Sequence, residues 1–376
     1  MAAIGGIFNI EGAFCDTDTL VRMSKAMCRR GGEDREAAVL DDGAFFWGNR
    51  ADECVSARLG DVTLLCDGDV YTEAKDVGVK YFGESDASMC AGVFGRYGNR
   101  MPEYLYGEYA VAAYDKGKGE LTLFRDRAGA RPLFYARQEG RIGFASEIKG
   151  VLAFLGLSPS VDREVLRAHA FSGYGQYSGT DIYKNISDVG IGAGCVCSRL
   201  GVFPFKYMSD EPSAEIKEEP LLIGGDLACP DEDGMSRLLY EILYAFDYPQ
   251  FDHLMPSFVR DARRAEVEGG AVADGSLHFH IGYSVERRDR LSTLAGHRPK
   301  CAPPKTYVPK ERELKKMEGV LKGLFSETDR AKLEYIFGFD VEKEIAGEGN
   351  TAKRIRYLGM AIQTDIWYDG YRINFE

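Results

Sequence analysis

Two side-chain pairs in this 376-residue chain have the types and spacing to hold a metal. His278-Phe279-His280 puts two imidazoles at i and i+2, which on a strand share a face and could converge on zinc. Cys195 and Cys197 repeat that spacing with thiols. A zinc site needs at least one more protein ligand, and His253 and His297 are only unplaced candidates. The preferred readings are therefore histidines on the polar face of an ordinary strand, small buried thiols, and no metal. A third feature could bind phosphate: Leu222-Ile223-Gly224-Gly225-Asp226-Leu227-Ala228-Cys229-Pro230 has the glycines that let backbone N–H groups approach an anion. Two glycines before an aspartate also make plain turns, and Pro230 would start a following helix late, so no nucleotide cofactor is expected. Arg260-Asp261-Ala262-Arg263-Arg264 and Arg287-Arg288-Asp289-Arg290 are basic but interleaved with acids. With a net charge of −12, they read as solvated faces or ion-pair networks, and nucleic acid is excluded as a partner.

The elements that must position such residues follow from the apolar pattern. Residues 107–147 carry short apolar and aromatic runs separated by Lys116-Gly117-Lys118-Gly119 and Gln138-Glu139-Gly140, which predicts successive hairpins in an antiparallel sheet. Leu20 to Cys28 and Ile148 to Leu155 have helical periodicity. Ser209 to Pro220 is charged, poor in large apolar residues and ends in proline, which is linker composition. Beyond it, apolar stripes predict helices over Met235–Phe246, Arg312–Phe325 and Lys353–Tyr371. The expected organisation is an α+β region over 1–208, a linker over 209–220 and a mostly helical region over 221–376. A composition of 45% hydrophobic and 28% charged residues is ordinary for a globular protein. No apolar run approaches the roughly 20 residues of a membrane span. The nine cysteines are odd in number and lack framework spacing. Reduced thiols and a cytoplasmic location without a membrane partner are expected.

Several segments resemble one family. Met1-Ala2-Ala3-Ile4-Gly5-Gly6-Ile7-Phe8 looks like the start of a class II glutamine amidotransferase. Gly107-Glu108-Tyr109-Ala110 through Asp115, then Arg125-Asp126-Arg127-Ala128-Gly129-Ala130-Arg131-Pro132-Leu133-Phe134-Tyr135 and Ala145-Ser146-Glu147-Ile148-Lys149, are similar to the signatures of glutamine-hydrolysing asparagine synthetases. The resemblance covers about residues 1 to 208 and implies the four-layer αββα fold of N-terminal-nucleophile hydrolases. It implies a nucleophilic cysteine exposed by removal of Met1, where this chain has Ala2. A methyl group carries no proton to remove and cannot attack an amide.

The rest of the implied site is mixed. The family's Asn-Gly-Glu strand end corresponds to Asp67-Gly68-Asp69, so the oxyanion-donating asparagine becomes Asp67, an acceptor that repels developing negative charge. Gly68 is kept. Ser85-Asp86-Ala87-Ser88 keeps Asp86, the implied anchor for the ligand ammonium. Arg50 and Arg58 are both candidates to hold the ligand carboxylate, and Arg29-Arg30-Gly31-Gly32 resembles the family's His-Arg-Gly-Pro turn. Arg125, Asp126, Arg127 and Glu147 are expected to be structural, with Asp126 satisfying buried guanidinium donors. After the linker, the family's Ser-Gly-Gly-Leu-Asp-Ser ATP loop has no match, and Arg354–Thr364 resembles the distal helical part of such synthetases.

The expected function is an asparagine synthetase-like protein with a degenerate amidotransferase domain. It lacks glutaminase and ATP-dependent activity and binds a small amino acid such as glutamine. Two alternatives stay open: an amide-forming enzyme that uses ammonia or a separate ATP-pyrophosphatase subunit, and a structural or interaction protein, with a homodimer among the partner classes.

Overall fold

The computed structural model describes residues 2–11, 17–31, 34–48, 55–72, 85–127, 129, 131–156, 158–172, 182–207, 221–223, 229–247, 249, 305–307 and 310–375. His253, His278, His280, His297, Arg50, the 209–220 linker and the Gly224-Gly225-Asp226 loop lie outside them. In chain order the strands are β1 Ala3–Asn9, β2 Arg35–Leu40, β3 Gly43–Gly48, β4 Ser56–Leu59, β5 Val62–Tyr71, β6 Tyr106–Asp115, β7 Glu120–Arg125, β8 Phe134–Gln138 and β9 Arg141–Ala145. They continue as β10 Ser160–Val161, β11 Ser187–Asp188, β12 Ala193–Ser198, β13 Gly201–Lys206, β14 Leu221–Ile223, β15 Lys305–Tyr307 and β16 Asn374–Phe375. The α-helices are α1 Thr17–Ala26, α2 Asp86–Tyr97, α3 Ile148–Leu155, α4 Arg163–Ser172, α5 Glu232–Phe246, α6 Glu311–Ser326, α7 Arg330–Phe337, α8 Val341–Gly347 and α9 Thr351–Tyr371.

The first compact unit contains Met1–Leu157 and Asn185–Ile216 and holds two six-stranded sheets. One runs β11-β8-β9-β1-β3-β2 and the other β13-β12-β7-β6-β5-β4. The period-two alternation of β5 shows how the layers form. Leu65 joins Ile4, Phe8, Phe45, Ala112, Leu123 and Phe144 in the core between the sheets. Its neighbours Leu64 and Cys66 face the other way, against Ala87, Cys90, Val93 and Phe94 of α2. Helices α1 and α3 cover the opposite face of the first sheet, giving an αββα sandwich. Helix α2 starts where the Ser85 hydroxyl accepts the Ser88 N–H at 3.2 Å, a side-chain N-cap.

The hairpins expected over 107–147 exist, but they do not share a sheet. β6–β7 belongs to the second sheet and β8–β9 to the first. Periodicity records only the turn between paired strands; which sheet a hairpin joins depends on its inward-facing side chains meeting a distant partner. The first expected helix begins at Thr17 and gives way to turns at Met27, within the Leu20–Cys28 span.

The second compact unit contains Ser158–Lys184, with described residues of 217–286 and 302–376. Its core includes Met235, Leu239, Ile242, Met317, Leu321, Ile355, Leu358 and Trp367. The three expected helices all form but start earlier than their apolar stripes. Asp231 caps α5, Lys310 opens α6 through a capping box, and the Asn350 side chain accepts from Ala352 and Lys353 to cap α9. Caps are polar and precede the first buried residue, so the apolar pattern alone enters the helix late. Residues 158–184 pack with this helical unit: β10 pairs with β16 in parallel, and the Arg167 Nε donates to Ile336 O at 3.0 Å.

Candidate functional site

β1 enters the first sheet at Ala3, and the peptide before it is held from both sides. The Ala2 N–H donates to Asp67 Oδ1 at 2.9 Å, and Arg30 Nε donates to Ala2 O at 2.7 Å. Arg30 Nη2 closes the ring on Asp67 Oδ2 at 2.6 Å. Asp67 is at an odd position of β5, on the face turned toward the first sheet, and is only 1% exposed. Arg30 is aimed there by a turn that ends in Gly31 with φ +73°, where a Cβ would meet Gly48 O at 2.5 Å and Ala3 N at 2.6 Å. Arg35 Nη2 braces the same turn by donating to Met27 O at 2.6 Å.

Burial alone would raise the Asp67 carboxyl, but the Arg30 and Arg131 guanidinium groups outweigh it and hold it below its ordinary value. Asp67 is thus an ionised carboxylate whose two oxygens each accept a hydrogen bond. The site orients the β1 peptide, with a methyl side chain at Ala2 and a negative charge at Asp67. Cys66, next along the chain, does not supply a thiol: it faces α2 on the opposite side of the strand. Its hydrogen bond with Cys90 at 3.8 Å and its burial keep it protonated.

Arg131 is the second cation. Its Nη1 lies 3.9 Å from Asp67 Oδ1 and its Nη2 3.7 Å from Glu108 Oε2. The 125–131 segment explains how it is presented. Asp126 Oδ2 accepts the Arg131 N–H at 3.1 Å and the Tyr109 N–H at 3.3 Å, while Arg125 Nε donates to Arg131 O at 3.0 Å. Arg125 also donates to Gly129 O, Val189 O and Asp188 Oδ2, and Arg127 Nη2 to Pro102 O at 3.1 Å. A buried charge network forms here, yet the carboxylate bonded to Arg125 belongs to Asp188, and Asp126 accepts from peptide N–H groups. Through these bonds Asp126 ties the turn backbone at Arg131 to β6 at Tyr109.

Gly68 lies opposite Tyr109, where a Cβ would stand 2.4 Å from Glu108 O, so this position demands a residue without one. Asp86, in the first turn of α2, accepts the Val70 N–H at 3.4 Å, which ties it to the same end of β5. Arg58 lies on β4 opposite Thr63, four residues back from Asp67 or about 13 Å along the strand, and is exposed. Glu147 precedes α3 and pairs with Lys149 at 2.9 Å, and Ser146 Oγ accepts the Ile4 N–H at 3.1 Å to hold β1. The structure therefore brings Ala2, Asp67, Gly68 and Asp86 toward one end of the sandwich and leaves Arg58 away from it. Sequence reasoning missed Arg131 and Glu108 as site residues and read Arg30 only as part of a turn. The available signal was that Glu108 and Arg131 both lie within motifs already singled out.

Cys195 and Cys197 do share a face, with sulfurs 3.9 Å apart, within the core between the sheets. Among the described residues, no group of three or more His, Cys, Asp or Glu side chains could hold a metal. None of the described helices is long and apolar enough to cross a membrane.

Residues 1–208, more than half of the chain, match the glutamine amidotransferase domain family, and the chain belongs to that family. Its domain is asparagine synthetase-like. It is 24% identical to the glutamine-hydrolyzing asparagine synthetase 3 of Bacillus subtilis over 215 residues, covering 52% of this chain and 34% of that protein. It is also 33% identical over 168 residues to the amidase chyE of Penicillium rubens, covering 45% of this chain and 22% of that one. Among solved structures, the glutamine phosphoribosylpyrophosphate amidotransferase from B. subtilis is similar with a TM-score of 0.39 and 13% identity, over 72% of this chain and 64% of that chain. The chain spans about a third or less of the length of these two sequence relatives.

Proposed function

We propose that this asparagine synthetase-like domain does not hydrolyse glutamine and serves as an amino-acid-binding domain. The observation that carries the reading is the closed ring of Ala2, Asp67 and Arg30. The residue preceding β1 bears a methyl group, and the neighbouring carboxylate is ionised and bonded on both oxygens. A tetrahedral intermediate needs donors aimed at its oxyanion, and a fixed negative charge beside it opposes that charge. Asp86 at the α2 N-terminus and Gly68 on β5 remain where a ligand amine and backbone would be met.

The reading extends to the second unit, for which we propose no ATP-dependent synthetase chemistry. There, α5 begins with an Asp231 cap followed by Glu232 and Asp233. These acids complement the positive end of the helix themselves and make it a poor phosphate site. The test is glutamate release from glutamine by the purified protein. The expected result is no release above a boiled control, and stoichiometry-independent turnover would refute the reading. Chemical-shift titration with glutamine, glutamate, asparagine and aspartate tests the binding half, with affinity expected near the millimolar level at which one charge pair and a few hydrogen bonds offset association costs.

A further inference from the structure

Helix α6 turns its apolar residues inward and shows solvent a basic face. Leu314, Met317, Leu321 and Phe325 are buried, and so are Glu313 and Glu318. Glu313 accepts the Lys310 N–H at 2.8 Å, and Glu318 pairs with Arg354 of α9 at 2.8 Å and with Lys322 at 2.7 Å. The third acid of the helix, Glu311, accepts the Thr351 hydroxyl at 3.0 Å. Arg312, Lys315, Lys316, Gly319 and Lys322 are exposed. Their spacing of i, i+3, i+4, i+7 and i+10 puts them on one stripe, opposite the buried apolar residues and about 15 Å long.

Two features of this stripe work against the helix. Arg312 stands three and four residues before Lys315 and Lys316, the spacing at which like charges repel. Gly319 stands in the helix interior, where glycine is among the least favourable residues. Packing does not require it: a Cβ there would meet no atom of the described residues within 4 Å. At Gly323, by contrast, the Glu232 carboxylate of α5 lies where a Cβ would stand, and there the basic stripe ends. The exposed backbone at Gly319 is therefore flanked by Lys315 and Lys316 on one side and Lys322 on the other.

We propose that this stripe docks an acidic helix of a partner protein, with the two backbones closest at Gly319 and the partner's carboxylates against Lys315, Lys316 and Lys322. Opposite charge alongside the stripe relieves the repulsion among its cations, and complementary charge fixes the register of the pair. A contact position without a Cβ lets two helix axes come close, because their separation is set by the side chains at the contact. A membrane surface lacks a matching element, since the apolar side of α6 is buried and leaves nothing to insert. A nucleic acid would meet the repulsion of a chain with a net charge of −12.

The test titrates the full chain into a fluorescein-labelled peptide of repeating Ala-Glu-Ala-Ala, about 20 residues long so that it is helical. Fluorescence anisotropy at low ionic strength should show saturable binding. Lys315→Glu with Lys316→Glu should weaken it at least about tenfold, whereas reversing exposed cations elsewhere, Lys25→Glu with Lys343→Glu, should change it less than about twofold. Gly319→Ala separates docking from plain charge attraction. Alanine is the better helix former, so the variant should melt about 2–4 °C higher. It should nevertheless bind the peptide at least about threefold more weakly, because a Cβ now stands in the contact. Absence of binding, equal loss in the two double variants, or unchanged affinity in Gly319→Ala overturns the proposal. Tighter binding of a single-stranded oligonucleotide or of phosphatidylserine vesicles, abolished by Lys315→Glu with Lys316→Glu, overturns it as well.

Discussion

Removing the Asp67 carboxylate should destabilise the sandwich unit far more than an average substitution. In Asp67→Ala the Ala2 N–H loses its acceptor at 2.9 Å and the nearly inaccessible Arg30 loses its carboxylate at 2.6 Å. Breaking a buried pair by deleting one partner costs about 3–5 kcal/mol, because the remaining charge stays buried. At about 2–4 °C per kcal/mol for a unit of this size, the melting temperature should fall on the order of 10 °C. Asp67→Asn keeps the shape and one acceptor oxygen and should cost about 1–3 kcal/mol.

The assay is urea unfolding followed by circular dichroism, run as a double-mutant cycle with Arg30→Met so that the pair is separated from the individual side chains. The pH dependence supplies an independent check. The Asp67 carboxyl is lowered in the folded protein, so near and below its ordinary value the unfolded chain binds more protons than the folded one. The pair's stabilisation is therefore complete above the usual carboxylate range and is lost as pH falls through that range toward the folded value. The difference between the native chain and Asp67→Asn should shrink in that window. A loss below about 1 kcal/mol in Asp67→Ala, or coupling near zero, would refute the view that this pair fixes the β1 entry.

Ala2→Cys alone should leave glutaminase activity undetectable, because Asp67 still opposes the oxyanion; loss of one oxyanion donor typically costs about 10²–10³ in rate. Turnover by the single variant in a coupled glutamate assay would contradict the role given to Asp67. Mg-ATP should give no saturable heat in calorimetry, and a micromolar site would overturn the reading of the acidic α5 start. A fragment ending at residue 208 should fail to give a cooperative melt. It would expose Val161, Leu166, Ala170, Ile182 and Tyr183, which are buried in the helical unit, and would lose the Trp367 Nε1 bond to the Tyr183 hydroxyl at 3.0 Å. In that unit, the bond from Arg354 holds the Glu318 carboxyl down to about 2, so Glu318→Gln should lower the melting temperature at neutral pH. The gap between native and variant should be complete above the usual glutamate range and shrink progressively as pH falls through that range toward about 2.

Much of this protein is written locally in its chain. Ile148–Leu155 forms a helix over the residues its periodicity marks, and the three C-terminal helices appear within a few positions of their apolar stripes. The resemblance that sets Ala2 and Asp67 against the family's nucleophile and oxyanion donor rests on short runs of residue types, readable without knowing the fold. What the chain order could not show is which distant residues those positions meet. Arg30 and Asp67 are 37 residues apart and Ala2 and Asp67 are 65 apart, and they join only because β1 and β5 face each other across the sandwich. Arg131 reaches the same carboxylate because the buried Asp126 and Arg125 bonds turn its segment inward. Likewise, the packing of 158–184 with the C-terminal helices was invisible to a composition boundary near 208. Periodicity records which side of an element is buried, whereas sheet order and the meeting of charges depend on side chains that no local pattern connects.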